Sequence, residues 1–278
     1  MAYVEKVCHI FRYVFISINK TSRLGPLYFA EVGVLMKKIN KKIFKRIAVV
    51  SAAVAVCAGV VFSSYRYMER DSLPAVGSVQ SDKPVIVLDA GHGGIDGGCS
   101  SADGVPEKGI NLNIVLCLRD LFTANGYDVK LTRDDDRSIH DDGIEGIANQ
   151  KSSDMDNRLE IFNEYPNAIC ISIHQNQFTD PKYSGAQMFY SDTNSESKYI
   201  AQAIQNKIVE YIQPDNDREI KLCGKELFLC YFCNNPTVMV ECGFLSNPQE
   251  AENLKDEEYQ NKIAFSIFAA INEYLAKK

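Results

Sequence analysis

The sequence predicts an α/β fold, with a largely parallel, twisted sheet flanked by helices, as a single domain that follows an N-terminal membrane anchor. Two observations predict this arrangement. Short apolar runs of strand length alternate along the chain with longer segments whose apolar residues recur at helical spacing. Such alternation is typical of strand–helix–strand units, in which neighbouring strands run parallel.

Six segments have the length and composition of strands. The first, at 85–88, is apolar throughout and suits a strand that is buried on both faces. In the second, Tyr127, Val129 and Leu131 alternate with polar residues, as in a strand with one exposed face. The remaining strands are predicted at 169–173, 186–190, 227–231 and 237–240.

Four helices are predicted between and after these strands. The first, at 110–124, has its apolar residues on one face and is ended by Asn125-Gly126. A long polar stretch at 134–153 leads to a short second helix, which Ser153 or Asp154 would open. The last two helices are predicted at 200–212 and 259–274.

Composition and charge exclude some classes of protein. Hydrophobic residues form 46% of the 278-residue chain and charged residues 24%, which predicts a globular body rather than a disordered chain. The formal net charge is -6. We therefore expect no nucleic-acid partner, because binding to phosphates requires a basic surface.

The N-terminal part of the sequence predicts a membrane anchor. Residues 47–65 carry no charge and approach the ~20 residues that cross a membrane as a helix. A cluster of cations precedes them, so the positive-inside rule predicts a cytoplasmic tail at 1–46 and a domain outside the cytoplasm. A polar linker at 66–83 would lead to that domain, at 84–278.

Other interpretations of the N-terminal segment stay open. A start at Met36 would give a cationic segment followed by the apolar run, as in a signal peptide. Cleavage after Ala53-x-Ala55 would secrete the domain, but this site lies inside the apolar run and no polar region precedes it. Lipid attachment at Cys57 is disfavoured by the bulky Val56 before it.

The nine cysteines do not predict a disulfide framework, although we expect the domain to be exported. Their number is odd, and several of them lie inside apolar strand or helix patterns. A structural zinc site built from Cys230 and Cys233 with Cys223 and Cys242 is an alternative. It is disfavoured because a second C-x-x-C pair is missing and because the segment has the pattern of a strand.

Three predicted strands end near side chains that bind metals or transfer protons: His92, His174 and Glu241. In open α/β sheets, ligands bind outside the carboxyl ends of the strands, so we expect these three residues to converge on one crevice. Glu107, which precedes the first predicted helix, can reach the same crevice from a loop.

Two imidazoles and one carboxylate form a ligand set with an open fourth position, which is typical of a catalytic rather than a structural zinc. A catalytic zinc lowers the pKa of water, and a nearby carboxylate can accept the proton that is released. Glu241 is the best candidate for this base.

Each of these residues also has a structural interpretation. A histidine at a strand end is commonly a hydrogen-bonded surface residue, and Glu241 could pair with an arginine. The glycines around His92 could form an ordinary turn or a phosphate loop, although the spacing of the nucleotide-binding motifs is missing. His140 is a weaker candidate ligand, because it lies in the polar stretch where no strand end directs it, and His9 precedes the anchor.

Four separated segments resemble the zinc-dependent N-acetylmuramoyl-L-alanine amidases of the amidase type 3 family, and the likeness covers about residues 84–276. The segments are VIVLDAGHGGIDGG at 85–98, EKGINLNI at 107–114, ISIHQNQF at 171–178 and VMVECGFLSNPQEAENL at 238–254. The resemblance implies a catalytic domain with Zn²⁺ as its cofactor. It implies His92, Glu107 and His174 as the zinc ligands, Glu241 as the catalytic carboxylate and Asn176 in the substrate groove.

The resemblance also implies a substrate. The family cleaves the amide between the lactyl group of N-acetylmuramic acid and L-alanine in peptidoglycan, and the anchored layout is similar to its germination-specific branch. A zinc peptidase of wall peptides is an alternative, in which Arg158 or Lys108 would have to bind a terminal carboxylate. A non-catalytic wall-binding protein on the same fold is another. The sequence leaves open whether an activating protein partner exists.

The predicted topology can be tested directly. A reporter enzyme that works only outside the cytoplasm should be active when it is fused after Lys278, because the cations precede the apolar span and the C-terminus is then expected outside. A second reporter that works only in the cytoplasm, fused at the same position, is the control and should be silent. Activity of the second reporter alone would reverse the topology.

Overall fold

The apolar runs of the sequence form one six-stranded sheet in the computed structural model, which describes residues 83–278. The strands are β1 Ile86–Ala90, β2 Val129–Leu131, β3 Ile169–Asn176, β4 Gln187–Tyr190, β5 Lys221–Leu222 and β6 Thr237–Phe244. Their order is β2-β1-β3-β6-β4-β5, and each neighbouring pair is parallel except β4 with β6. The prediction of a largely parallel sheet is therefore confirmed.

Helices cover both faces of this sheet. They are α1 Glu107–Ala124, α2 Ile147–Glu164, α3 Glu196–Tyr211, α4 Phe228–Phe232, α5 Pro248–Lys255 and α6 Glu257–Ala276. Alternate strand residues point to opposite faces, so each face needs its own layer of helices. Helices α1, α3, α5 and α6 pack around Leu88, Ile171 and Val240 on one face. On the other face, α2 and α4 pack around Val87 and Cys170.

Three elements differ from the predictions. A strand was expected at 227–231, but Phe228–Phe232 form helix α4. The prediction was wrong because a run this short has no periodicity that separates a strand from a helix. The two-residue strand β5 and helix α5 were not predicted. Helix α5 does have a recognisable start, since the Asn247 side chain accepts hydrogen bonds from two backbone amides and Pro248 follows it.

The four predicted helices all begin earlier than the sequence predicts, and α3 and α6 do so by a few residues, at Glu196 and Glu257. Helix α2 begins at Ile147, well before Ser153. The sequence does not indicate this start, because the first residues of the helix are largely exposed and lack apolar periodicity. Helix α1 begins at Glu107, directly after Pro106 at the N-cap. Glu107 therefore lies on the first turn of a helix rather than on a loop, which places its carboxylate on a rigid element.

The predicted N-terminal segments lie outside the described residues. This applies to the tail at 1–46, the anchor at 47–65 and nearly all of the linker at 66–83. Within residues 83–278, none of the helices combines the length and the apolar character that a membrane crossing requires. The tail, the anchor and the linker stay predictions.

Seven cysteines lie in the described part of the chain, each as a free thiol. The structural zinc hypothesis for four of them is wrong, because they lie in different parts of the core. Cys223 and Cys230 pack with Met239, whereas Cys233 packs in the cluster between α2 and the sheet. Cys242 points to the opposite face of the sheet, so the four thiols cannot surround one ion.

Candidate active site

The carboxyl ends of β1, β3 and β6 lie side by side, because these strands are parallel neighbours in the sheet. Ala90 is opposite Ile173 in the β1–β3 register, and His174 is opposite Glu241 in the β3–β6 register. His92 lies two residues beyond the end of β1. The sheet therefore brings His92, His174 and Glu241 to one edge.

His92, Glu107 and His174 are the side chains that could hold a metal ion within residues 83–278, with ligand atoms no more than 4.8 Å apart. His92 Nε2 lies 2.8 Å from Glu107 Oε1, and His174 Nδ1 lies 3.9 Å from Glu107 Oε2. The two imidazole rings meet edge to face, with centroids 4.9 Å apart. Two nitrogens and a carboxylate oxygen are donors that suit a zinc ion.

Glu107 is almost fully buried, and backbone amides hold both of its carboxylate oxygens. Cys99 N donates to Oε1 at 2.9 Å, and Gln175 N donates to Oε2 at 2.7 Å. Burial raises the pKa of Glu107, but the hydrogen bond from His92 and the charges of His174 and His92 outweigh it and lower the pKa to about 2. The Glu107 carboxylate is therefore a fixed negative charge.

The two histidines titrate differently. Burial lowers the pKa of His174 to about 4, so its imidazole is neutral near pH 7 and can bind a metal. Burial also lowers the pKa of His92, but hydrogen bonds and charges from Glu107 and Asp96 outweigh it and raise the pKa to about 9. A metal ion would have to displace the proton of His92, because only a neutral imidazole is a ligand.

Asp96 sets the orientation of the His92 ring. Asp96 Oδ2 lies 3.0 Å from His92 Nδ1, so the other ring nitrogen, Nε2, faces Glu107. Lys151 Nζ donates to Asp96 Oδ1 at 2.8 Å and balances the charge of this carboxylate. The backbone of His92 has a φ of 63°, in the left-handed region, which directs its side chain back towards the cluster.

Two glycines leave room for the ligand side chains. A Cβ at Gly91 would lie 2.2 Å from His174 Cε1, and a Cβ at Gly98 would lie 2.1 Å from Glu107 Oε1. Both distances are far below contact, so a side chain at either position would displace a ligand. Gly98 also has a φ of 67°, which glycine adopts without strain.

A buried ion pair supports the turn that carries His92. Arg158 Nη1 donates to Asp89 Oδ1 at 2.5 Å, and Arg158 Nε donates to Asp154 Oδ2 at 2.6 Å. Burial raises the pKa of Asp89, but the charges of Arg158 and His174 and the hydrogen bonds from Ser172 and Thr132 together outweigh it and lower the pKa. Arg158 also donates to the carbonyls of Ala90 at 2.8 Å and His92 at 2.7 Å. Helix α2 is thereby joined to the end of β1.

A second buried arginine, Arg133, holds the same turn. Arg133 Nε donates to the Ala90 carbonyl at 2.8 Å, and its Nη2 donates to the carbonyls of Gly91 at 3.1 Å and Lys108 at 2.8 Å. Buried carbonyls at an irregular strand end need such partners. The two arginines therefore stabilise a turn that no regular secondary structure supports.

Glu241 lies beside the ligand cluster, between His174 on β3 and Gln187 on β4. Its Oε2 is buried and has no hydrogen-bond partner among the described residues. Burial raises the pKa of Glu241 to about 8, and the charge of Glu107 adds to this effect. A carboxylate with a pKa near neutrality can both accept and release a proton.

A pocket of about 330 Å³ adjoins the cluster, with His92, His174 and Glu241 in its wall. The pocket lies on the face of the sheet that α2 and α4 cover. The rest of its lining combines apolar and charged side chains, including Ile95, Met155, Leu227, Phe228, Met239, Asp96, Lys151 and Glu226. It can accept a ligand that carries charge.

Two candidate residues lie apart from the cluster. Asn176, predicted to line the substrate groove, is not among the residues that line this pocket, and its carbonyl accepts a hydrogen bond from Leu245 N at 2.8 Å. Its role stays a prediction. His140 lies 2.8 Å from Ser138 Oγ, through Nδ1, and does not belong to the metal-binding group.

The cations that a peptidase would need are engaged elsewhere. Arg158 is buried, and its three nitrogens donate to the oxygens described above. Lys108 Nζ donates to the Gly94 carbonyl and to Asp136 Oδ2, both at 2.7 Å. Neither side chain presents a free positive charge to the carboxylate of a peptide.

The family profile of the N-acetylmuramoyl-L-alanine amidases, Amidase_3, matches residues 86–273, which is most of the 278-residue chain. The chain belongs to this family. The match begins at the first residue of β1 and extends into α6, so it contains the whole ligand cluster and Glu241.

Several characterised members of the family are similar along most of their length. The germination-specific N-acetylmuramoyl-L-alanine amidase of Bacillus subtilis is 32% identical over 214 residues, covering 77% of this chain and 89% of the relative. The amidase AmiA of Escherichia coli is 26% identical over 234 residues, covering 69% and 76%. The CwlD amidase of Clostridioides difficile, solved in complex with the GerS lipoprotein, is 40% identical with a TM-score of 0.68, covering 70% of this chain and all of that one.

Sequence reasoning missed the residues that support the ligands. Asp96 lies inside the segment that carries the family resemblance, and its position four residues after His92 was a usable signal. No sequence signal marks Arg158 and Arg133 as buried, because a charged residue in a polar stretch or a helix is normally exposed. Only the tertiary structure reveals that both side chains are buried.

We predict that Arg158→Met lowers the free energy of unfolding by about 3–5 kcal/mol, because it leaves the Asp89 carboxylate buried without a counter-charge. Denaturant unfolding of the purified protein measures the change. The control is Arg119→Met, which removes an exposed arginine paired with Asp120 and should change stability by no more than about 0.5 kcal/mol. Equal effects of the two substitutions would contradict the supporting role of Arg158.

Proposed function

We propose that this protein hydrolyses the amide between the lactyl group of N-acetylmuramic acid and the L-alanine of the stem peptide in peptidoglycan. The observation that carries the proposal is the position of Glu241, next to His174 and beside a two-histidine, one-carboxylate cluster, in a chain of the amidase family. The relatives whose names record this activity match over most of their length.

We propose Zn²⁺ as the metal of this site, held by His92, Glu107 and His174. Three features of the residues fit this ion: their donor atoms are clustered, Glu107 is ionised, and Gly91 leaves space for the His174 ring. When bound, zinc would polarise the scissile carbonyl and make water a stronger nucleophile. Asp96 orients His92, as a carboxylate commonly does for a metal-binding histidine.

In the proposed reaction, Glu241 moves the proton. Its unpartnered Oε2 accepts a proton from the attacking water, while the water oxygen forms a bond to the carbonyl carbon. The carbon–nitrogen bond then breaks, and Glu241 returns the proton to the leaving nitrogen of L-alanine. The products are a lactyl carboxylic acid, which loses its proton to water, and a free amine, and Glu241 is again in the ionised form that accepts a proton.

We further propose that the domain acts outside the cytoplasm, tethered by the anchor predicted at 47–65, on the peptidoglycan of spores. The germination-specific relative of Bacillus subtilis supports this setting. The CwlD amidase is found in complex with a lipoprotein, which makes a membrane-attached accessory protein a candidate partner for this chain. The proposed partners are therefore the membrane, through the anchor, and peptidoglycan, as the substrate.

We predict that His92→Ala, Glu107→Ala and His174→Ala each lose zinc and turnover together, because two remaining ligands hold zinc poorly. Metal analysis of the purified variants and peptide release from isolated walls measure the two quantities. His140→Ala removes a histidine outside the cluster and should keep both. Stoichiometric zinc in one of the three variants would remove that residue from the ligand set.

Glu241→Gln separates the proton carrier from the ligands. This variant should keep zinc, because the amide fills the same space, but its turnover should fall by about 100-fold to 10,000-fold, the usual contribution of a general base. Glu160→Gln, on the exposed side of α2, is the matched control and should behave as the wild type. A folded, zinc-loaded Glu241→Gln protein with near-normal turnover would refute the proposed role.

A further inference from the structure

Three aromatic side chains form a surface that the reaction described above does not use. We call Phe178, Tyr183 and Phe244 the aromatic ledge. Phe178 is 52% exposed and Tyr183 is 41% exposed, and their rings meet edge to face with centroids 4.8 Å apart. Tyr183 lies above the buried Phe244, with centroids 6.4 Å apart. The ledge therefore presents two rings to solvent on a buried third ring.

The two exposed residues of the ledge, Phe178 and Tyr183, lie on the loop between β3 and β4, whose backbone is held in place. Phe178 N donates to Ser246 Oγ at 3.0 Å, and Asn247 Nδ2 donates to the Tyr183 carbonyl at 3.4 Å. At the end of the loop, Gly185 N donates to Glu250 Oε1 at 2.9 Å. These bonds join the loop to α5 and to the segment between β6 and α5, so the exposed rings are held in place rather than displayed on a free loop.

A continuous row of contacts joins the aromatic ledge to Glu241. The Arg218 guanidinium lies over the Phe244 ring, 4.9 Å from its centroid. Arg218 Nη2 donates to Gln187 Oε1 at 2.6 Å, and Gln187 is directly opposite Glu241 in the β4–β6 register. Phe178 itself follows His174 by four residues, a reach of at most ~14 Å along an extended chain.

The ledge and the pocket have no residue in common. The wall of the pocket combines apolar side chains with charged ones, among them Asp96, Lys151 and Glu226, whereas the exposed part of the ledge consists of two aromatic rings. Glu241 lines the pocket and also ends the row of contacts from the ledge. It therefore lies between a pocket that contains charged groups and a surface of exposed aromatic rings.

The bond of the proposed reaction also joins two chemically different parts. On one side is a stem peptide with charged groups, and on the other is a sugar of the glycan strand. Pyranose rings expose C–H groups, which carry partial positive charge and suit the negative face of an aromatic ring. The distribution of surfaces around Glu241 matches the two sides of that bond.

We propose that the aromatic ledge is a glycan subsite, which binds hexosamine units of the peptidoglycan strand through the exposed rings of Phe178 and Tyr183. This inference rests on the proposed function, because it takes its substrate from it. The subsite positions the strand so that the amide to be cleaved lies at Glu241, while the stem peptide occupies the pocket.

The test measures binding of the full-length protein to peptide-free glycan strands prepared from peptidoglycan, by calorimetry or ligand-observed NMR. Phe178→Ala and Tyr183→Ala should each raise the Kd for these strands by about 2-fold to 12-fold, since one aromatic contact is lost in each. Tyr199→Ala is the matched control, because Tyr199 is 66% exposed on α3, remote from the ledge, and should leave the Kd unchanged.

A further variant separates stacking from folding. Phe178→Leu keeps apolar volume on the loop and should fold, but it lacks a ring and should weaken glycan binding as Phe178→Ala does. Wild-type affinity in Phe178→Leu or in both alanine variants would overturn the inference. Weaker binding of a synthetic stem peptide, with glycan binding intact, would overturn it too and make the ledge a peptide site.

The same protein tests the proposed function independently. If the wild type releases no stem peptide from walls, the proposed function fails. If it releases stem peptide but its glycan affinity does not depend on Phe178 and Tyr183, the ledge inference alone fails.

Discussion

The buried guanidinium of Arg158 receives its counter-charges from Asp89 and Asp154, and it also donates to two carbonyls of the turn that follows β1. A charge in the interior is stable only when its donors all find partners. Here the partners include the backbone carbonyl of His92, the first histidine of the ligand cluster. Because Ser172 Oγ donates to the same Asp89 carboxylate at 2.6 Å, the ion pair also fixes β1 against β3. The strand ends that carry His92 and His174 therefore depend on one electrostatic arrangement.

Two carboxylates at the same sheet edge acquire opposite properties from their surroundings. Glu107 receives backbone amide and imidazole hydrogen bonds, and its pKa falls to about 2. Glu241 is buried, one of its oxygens has no partner, and its pKa rises to about 8. Such a separation commonly assigns a fixed charge to one group and proton transfer to the other. Residue type alone could not have made this distinction, since both side chains are glutamates.

The sequence predicted the alternating strands and helices, the largely parallel sheet and the family, because these depend on local periodicity and on strings of adjacent residues. It failed at 227–231, where five apolar residues fit a strand or a helix equally well. It also placed Glu107 on a loop. The supporting layer around His92 could not be predicted, since Arg133 and Arg158 come from distant segments and their burial is a tertiary property. The roles of the four chemical groups and of Asn176 stay predictions, although the fold brings all but Asn176 around one pocket or cluster.

The missing side chain of Gly91 has a consequence for protein engineering. A single methyl group there would occupy the space of the His174 ring, while every donor atom, every charge and every surface residue of the domain would be unchanged. A substitution at position 91 would therefore displace the His174 ring without changing any of the ligand residues. A protein altered only there would make a useful inert reference in wall-binding studies, because its outer surface is that of the active protein.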